Sequence, residues 1–163
     1  MKLFWLVALA AGVVGCTENE DDEGGAVADA RCASGLRWAG GDSESPLMHP
    51  GADCIGCHAS GEGPRFVVAG TVQATFDEPT DCYGVAGVTV AISDAAGETR
   101  SVLTNEAGNF FIEARAALVM PIQARITFDG RERLMTAAQL TGACATCHTS
   151  SGANGAPGRI VVP

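Results

Sequence analysis

The stretch Ile122-Gln123-Ala124-Arg125-Ile126-Thr127-Phe128-Asp129 alternates without a break. Ile122, Ala124, Ile126 and Phe128 are apolar; Gln123, Arg125, Thr127 and Asp129 are polar. Successive side chains of a strand point to opposite faces, so the pattern predicts a half-buried strand with the four apolar residues facing in. Outward from it the same signal recurs. Val88, Val90 and Ile92 share one face of Val88-Thr89-Val90-Ala91-Ile92-Ser93. Ala95-Ala96-Gly97-Glu98 predicts a turn, Arg100 to Thr104 the next strand, and Asn105-Glu106-Ala107-Gly108-Asn109 a turn into Phe110-Phe111-Ile112. Arg65 to Thr75 is rich in β-branched residues, which suit a pleated surface. Arg159-Ile160-Val161-Val162 predicts a short closing strand. Short strands at this spacing, separated by glycine turns, predict a mainly β chain with a small sandwich over residues 65–135.

One pentapeptide pattern stands on both sides of that frame: Cys54-Ile55-Gly56-Cys57-His58 and Cys144-Ala145-Thr146-Cys147-His148. Cys-x-x-Cys-His is the attachment signature of c-type haem. Two thiols one helical turn apart each add to a vinyl group of one porphyrin, and the following histidine is held within reach of the iron. The expectation is two covalent haem c groups, one on Cys54, Cys57 and His58 and one on Cys144, Cys147 and His148. A zinc site built from two Cys-x-x-Cys pairs has its halves about 15–20 residues apart, whereas these are separated by almost ninety. A disulfide framework leaves both histidines without a role, and no βαβ pattern supports a thioredoxin-like pair.

Leu47-Met48 and Leu134-Met135 precede the two motifs. Met48 and Met135 are therefore the expected distal iron ligands, with His49 the alternative at one site. Methionine opposite histidine raises the reduction potential, and axial ligands as a group move it over about 0.8 V. His49 is the sole histidine outside the motifs, so at most one haem can be bis-histidine. Pro50 keeps His49 out of helical geometry and predicts an extended approach to the first motif. Thr136 to Leu140 predicts a helical turn stopped by Gly142. The two flanking segments, 32–64 and 136–163, are thus expected to be irregular and partly helical. Trp38 is a candidate porphyrin wall or an ordinary core residue. Arg159, Arg65 and Arg37 are candidate partners of a haem propionate or plain surface arginines.

The chain has 163 residues and a net charge of −9, which argues against nucleic acid and suits basic redox partners. Aromatic residues make up only 6%, and two porphyrins would supply the large apolar bodies that are scarce. Met1-Lys2 and the apolar run Leu3 to Val14 lead into Val13-Val14-Gly15-Cys16; the run is too short to span a bilayer comfortably. This resembles a bacterial lipoprotein signal over residues 1–15. The resemblance implies cleavage before Cys16, lipid on Cys16, and, with Thr17 following, an outer-membrane anchor in the cell envelope. An ordinary secretory signal is the alternative. Residues 16–31 are expected to be a lipidated tether, because Glu18, Glu20, Asp21, Asp22 and Glu23 crowd like charges with nothing to bury. Of seven cysteines, Cys16 and the four motif thiols leave Cys32 and Cys82. In an exported chain these two predict a disulfide, or else two free thiols.

Ala69-Gly70-Thr71-Val72, Gly84-Val85-Ala86-Gly87-Val88-Thr89-Val90, Asp94-Ala95-Ala96-Gly97 and Thr104-Asn105-Glu106-Ala107-Gly108-Asn109-Phe110 resemble the carboxypeptidase regulatory-like domain. Over about 65–130 this implies an Ig/transthyretin-like β-sandwich with structural, binding or adhesion roles and no catalytic residues. The whole chain also resembles small dihaem lipoproteins of bacterial envelopes. The expected function is electron transfer with partner proteins rather than catalysis. The alternatives are a peroxidase-like or gas-binding protein, and a surface adhesion module with structural haem. If the first and last strands open at one end, the two haems form an adjacent pair.

Overall fold

Burial alternates along Thr89–Ser93, an inner strand of the largest of three sheets. A computed structural model describes residues 26–40, 44–61 and 63–163. The signal segment, Cys16 and the acidic part of the tether lie outside the described residues. In chain order the elements are β1 (Ala26–Ala28), β2 (Leu36–Trp38), α1 (Cys54–Ala59), β3 (Phe66–Gln73), β4 (Thr89–Ser93), β5 (Thr99–Leu103), β6 (Asn109–Glu113), β7 (Gln123–Phe128), β8 (Arg131–Leu134), a 3-10 turn (Cys144–Thr146) and β9 (Ile160–Val161).

The four-stranded sheet runs β5-β4-β7-β8 and the three-stranded sheet β6-β3-β9, with β9 parallel to β3. In the first, Val90 lies opposite Ile126 and Ile92 opposite Ala124. In the second, Val68 lies opposite Ile112 and Gly70 opposite Phe110. Val68, Val72, Val88, Val90, Ile92, Phe110, Ile112, Ile122 and Ile126 meet in one buried cluster drawn from both sheets. The chain is mainly β, as the alternation predicts, and the two larger sheets share a core. Burying one Val or Ile side chain contributes about 1.5–3 kcal/mol, so this cluster is the main source of stability.

Three features depart from the sequence expectation. Residues 26–31 do not continue the tether: β1 pairs with β2, and Arg31 closes the turn between them with hydrogen bonds from Nε and Nη2 to Asp29. A disulfide between Cys32 and Cys82, with Cα atoms 5.9 Å apart, ties this ribbon to the frame as expected from the cysteine count. Residues 136–140 are not helical: Ile122 and Gln139 exchange both backbone hydrogen bonds at 2.8 Å, which holds the segment extended. The approach to the first motif is a series of turns rather than an extended segment. His49 has a φ of 42° and Gly51 one of 84°, and the Ala52 N–H donates back to the His49 carbonyl.

The β5–β6 turn positions that approach. Asn105 Nδ2 donates to the Pro46 carbonyl at 2.6 Å and Asn109 Nδ2 to the Met48 carbonyl at 2.9 Å. Gly51 N–H donates to Thr71 Oγ1, which donates in turn to Asn109 Oδ1. Residues 46–51, which carry neither strand nor helix, are thus fixed by buried polar groups of β3 and β6. Buried polar groups need such partners, and each bond made contributes roughly 1 kcal/mol.

Candidate functional site

The first motif occupies α1. Asp53 caps the helix by accepting a hydrogen bond from Gly56 N–H at 3.1 Å, the usual way of satisfying an orphan donor at a helix start. Cys54 and Cys57 then lie one turn apart. Cys57 is exposed and Cys54 half-buried; burial, with a smaller contribution from Asp53, pushes the Cys54 thiol above its ordinary range. The His58 ring packs on Phe66 at 4.7 Å, and Phe66 on Phe111 at 4.8 Å. His58 Nδ1 is buried without a hydrogen-bond partner.

The second motif is docked directly on β3. A side chain at Gly142 would collide with the Val67 carbonyl and come within 2.7 Å of Val68 Cα. Only a glycine lets this segment lie flat on the strand, where Ala69 N–H donates to the Gly142 carbonyl. Gly70 plays the complementary part: a Cβ there would stand 2.8 Å from Cys144 Cβ. The Cys144 thiol is pushed up to about 12 by burial first and then by the negative potential of Cys54, Cys147 and Asp53. The influence of Cys54 on Cys144 marks the two motifs as neighbours, and both pack on β3.

His148 is held more tightly than His58. Its ring Nδ1 lies 2.8 Å from the Gly158 carbonyl. A carbonyl only accepts, so Nδ1 carries a proton, and in the neutral imidazole Nε2 keeps its lone pair. This is the form in which an imidazole ligates a metal, with the second nitrogen anchored by a backbone acceptor.

A cavity of about 450 Å³ opens beside Cys144, Cys147 and His148, with Val90, Ile126 and Met135 in its wall. Cofactor sites typically span about 300–1,000 Å³ and are mostly apolar. Two thiols, an imidazole with a free Nε2, a thioether and an apolar cavity form a donor set that fits a c-type haem. Met135 is fixed through its backbone: its N–H donates to the Ala124 carbonyl, and its own carbonyl accepts from Gln123 Nε2.

Met48 is placed differently. It packs with Trp38, Tyr83 and Ala107 in a small cluster apart from the main core. The His49 ring lies edge-on to Trp38 at 6.1 Å. Of the three candidate arginines, Arg65 is exposed and reaches the Ala59 carbonyl. Arg37 faces Asp29 and Asp81 at 3.6 Å. Arg159 alone of the three is buried and lines the cavity. Gly142, Gly70 and the Gly158 carbonyl carry no side-chain signal; a glycine two residues before the second motif was the one hint available. Cys32, Cys82 and Glu78 also cluster within 4.8 Å, but both sulfurs are bonded to each other and offer no thiolate.

Among the described residues no helix is long and apolar enough to cross a membrane. Comparison with known proteins returns no matching family model, no matching curated protein and no matching solved structure.

Proposed function

We propose that the chain is a dihaem c-type cytochrome that carries electrons in a bacterial cell envelope, anchored through lipid on Cys16. The observation that carries this reading is convergence. Two Cys-x-x-Cys-His motifs far apart in sequence dock on one strand, and the second presents an anchored imidazole and two thiols to an apolar cavity that Met135 also lines. Cys54 and Cys57 would hold one haem and Cys144 and Cys147 the other, with His58 and His148 as proximal ligands. The bound irons supply one-electron exchange. The protein's own part is to fix the ligands and exclude water. Met135 is the distal ligand that geometry favours at the second site. The β frame, on the resemblance to carboxypeptidase regulatory-like domains, is scaffold rather than catalyst.

The test is protein matured in a host with a cytochrome c assembly system. A pyridine haemochrome assay after acid–organic extraction is expected to give two covalent haems per chain. A colourless polypeptide with four alkylatable motif thiols refutes the reading. Replacing Cys16 by Ala is expected to release the protein from the membrane fraction.

A second reading, a peroxidase-like or gas-binding protein, draws on Met48. Met48 packs with Trp38 and Tyr83, and the His49 ring lies edge-on to Trp38; with both upstream candidates engaged by aromatic side chains, an open position on the first iron is favoured. A high-spin ferrous species that binds carbon monoxide at one haem would favour it; a fully low-spin spectrum removes it.

A further inference from the structure

Arg159 is 4% exposed. Its Nη2 donates to Thr80 Oγ1 at 3.2 Å, and its Nε is buried without a partner. Nη1 sits beside Gly51, where an added Cβ would come within 3.1 Å of it. Glu78, itself 3% exposed, is near enough to favour the charged guanidinium that burial disfavours. No hydrogen bond joins the two: Glu78 Oε1 accepts from Ala33 N–H and Oε2 has no partner. A void of about 10 Å³ lies among Gly51, Gln73, Ala145, His148 and Arg159, close to the space one water occupies (roughly 10–15 Å³). Gln73, another residue that lines this void, has its Oε1 buried without a partner as well.

The guanidinium therefore stands between the turn that leads into the first motif and the histidine of the second, and it stays charged. Its counter-charge, Glu78, is not in contact with it. Buried charges are screened far less than exposed ones.

We propose that Arg159 is a positioning residue for the redox reaction: a buried cation between the two motifs that favours the reduced state of the haem at Cys144, Cys147 and His148, with Glu78 opposing it. This rests on the dihaem reading. Reduction adds one electron to the iron, given up by a one-electron donor protein. A nearby positive charge stabilises the added negative charge, and a nearby carboxylate destabilises it.

The experiment is a spectroelectrochemical titration of the holoprotein and three variants, each first assayed for haem content. Arg159→Gln is expected to shift the reduced-to-oxidised ratio of one haem about tenfold toward ferric, a fall of about 59 mV for a one-electron couple. Arg159→Lys is expected to restore most of the wild-type position, and Glu78→Gln to move the same wave the opposite way. Opposite signs are the signature that a packing role alone would not produce. Two loaded haems with unmoved waves in Arg159→Gln, or shifts of one sign in Arg159→Gln and Glu78→Gln, overturn the inference and leave the dihaem reading standing. If Arg159→Gln does not fold, Glu78→Gln decides: a rise supports the inference and an unmoved wave overturns it. Wild-type protein without haem sinks both.

Discussion

The two Cys-x-x-Cys-His motifs are alike in sequence and unlike in their surroundings. The first is a capped helix whose outer thiol is exposed and whose histidine leans on an aromatic ring. The second is a short 3-10 turn without a side-chain cap, pressed onto β3, with its histidine tied to a backbone carbonyl and a cavity beside it. Both rest on β3; the first adds a side-chain cap to its helix, whereas the second is seated on the strand by the close approach of Gly142 and Gly70.

The sharpest separation should be in thiol chemistry. In the apoprotein at pH 8, Cys144 is expected to hold about a thousandfold less thiolate than an ordinary thiol, given its rise from 9.0 to about 12. Iodoacetamide labelling followed by mass spectrometry should modify exposed Cys57 first and Cys144 last. Equal rates at the two sulfurs would erase the contrast. The same shift has a stability consequence. A thiol whose folded-state pKa lies above its unfolded value favours the fold fully below about 9 and loses that contribution as pH rises toward about 12. The urea midpoint of the apoprotein should fall across that window, and a Cys144→Ala variant should flatten the fall.

Gly142→Val should lift the second motif from β3, because the added side chain meets backbone that cannot yield. We expect a loss of about 4 kcal/mol in chemical denaturation and one haem rather than two by intact mass. Cys32→Ser removes the staple between the ribbon and the frame and should cost about 3 kcal/mol, without selecting between the motifs. Gly56→Ala, the matching change in α1, meets only the Asp53 side chain. It should cost about 1 kcal/mol through the disturbed cap and keep both haems. If Gly56→Ala proved as damaging as Gly142→Val, the contrast between the capped and the glycine-seated motif would fail.

Much of the frame was legible because period two is a local property. Ile122, Ile126, Val88, Val90 and Ile92 are all buried, as their alternation requires. β8 escaped notice because Arg131-Glu132-Arg133-Leu134 is exposed throughout and shows no apolar face. The ribbon of Ala26–Ala28 escaped notice because its order comes from pairing and a disulfide rather than from apolar content. Thr136 to Leu140 carried a helical signal that backbone pairing with Ile122 overrode.

The candidate site divides in the same way. Cysteine and histidine spacing is covalent information, so the sequence alone marked the six motif residues, the disulfide pair and the methionines worth weighing. Which methionine shares a cavity with a motif, which nitrogen of His148 carries the proton, and how deeply Arg159 is buried depend on groups distant along the chain. Those were settled only when β3 drew both ends of the molecule onto one surface, since packing and burial are properties of neighbours that no local pattern encodes.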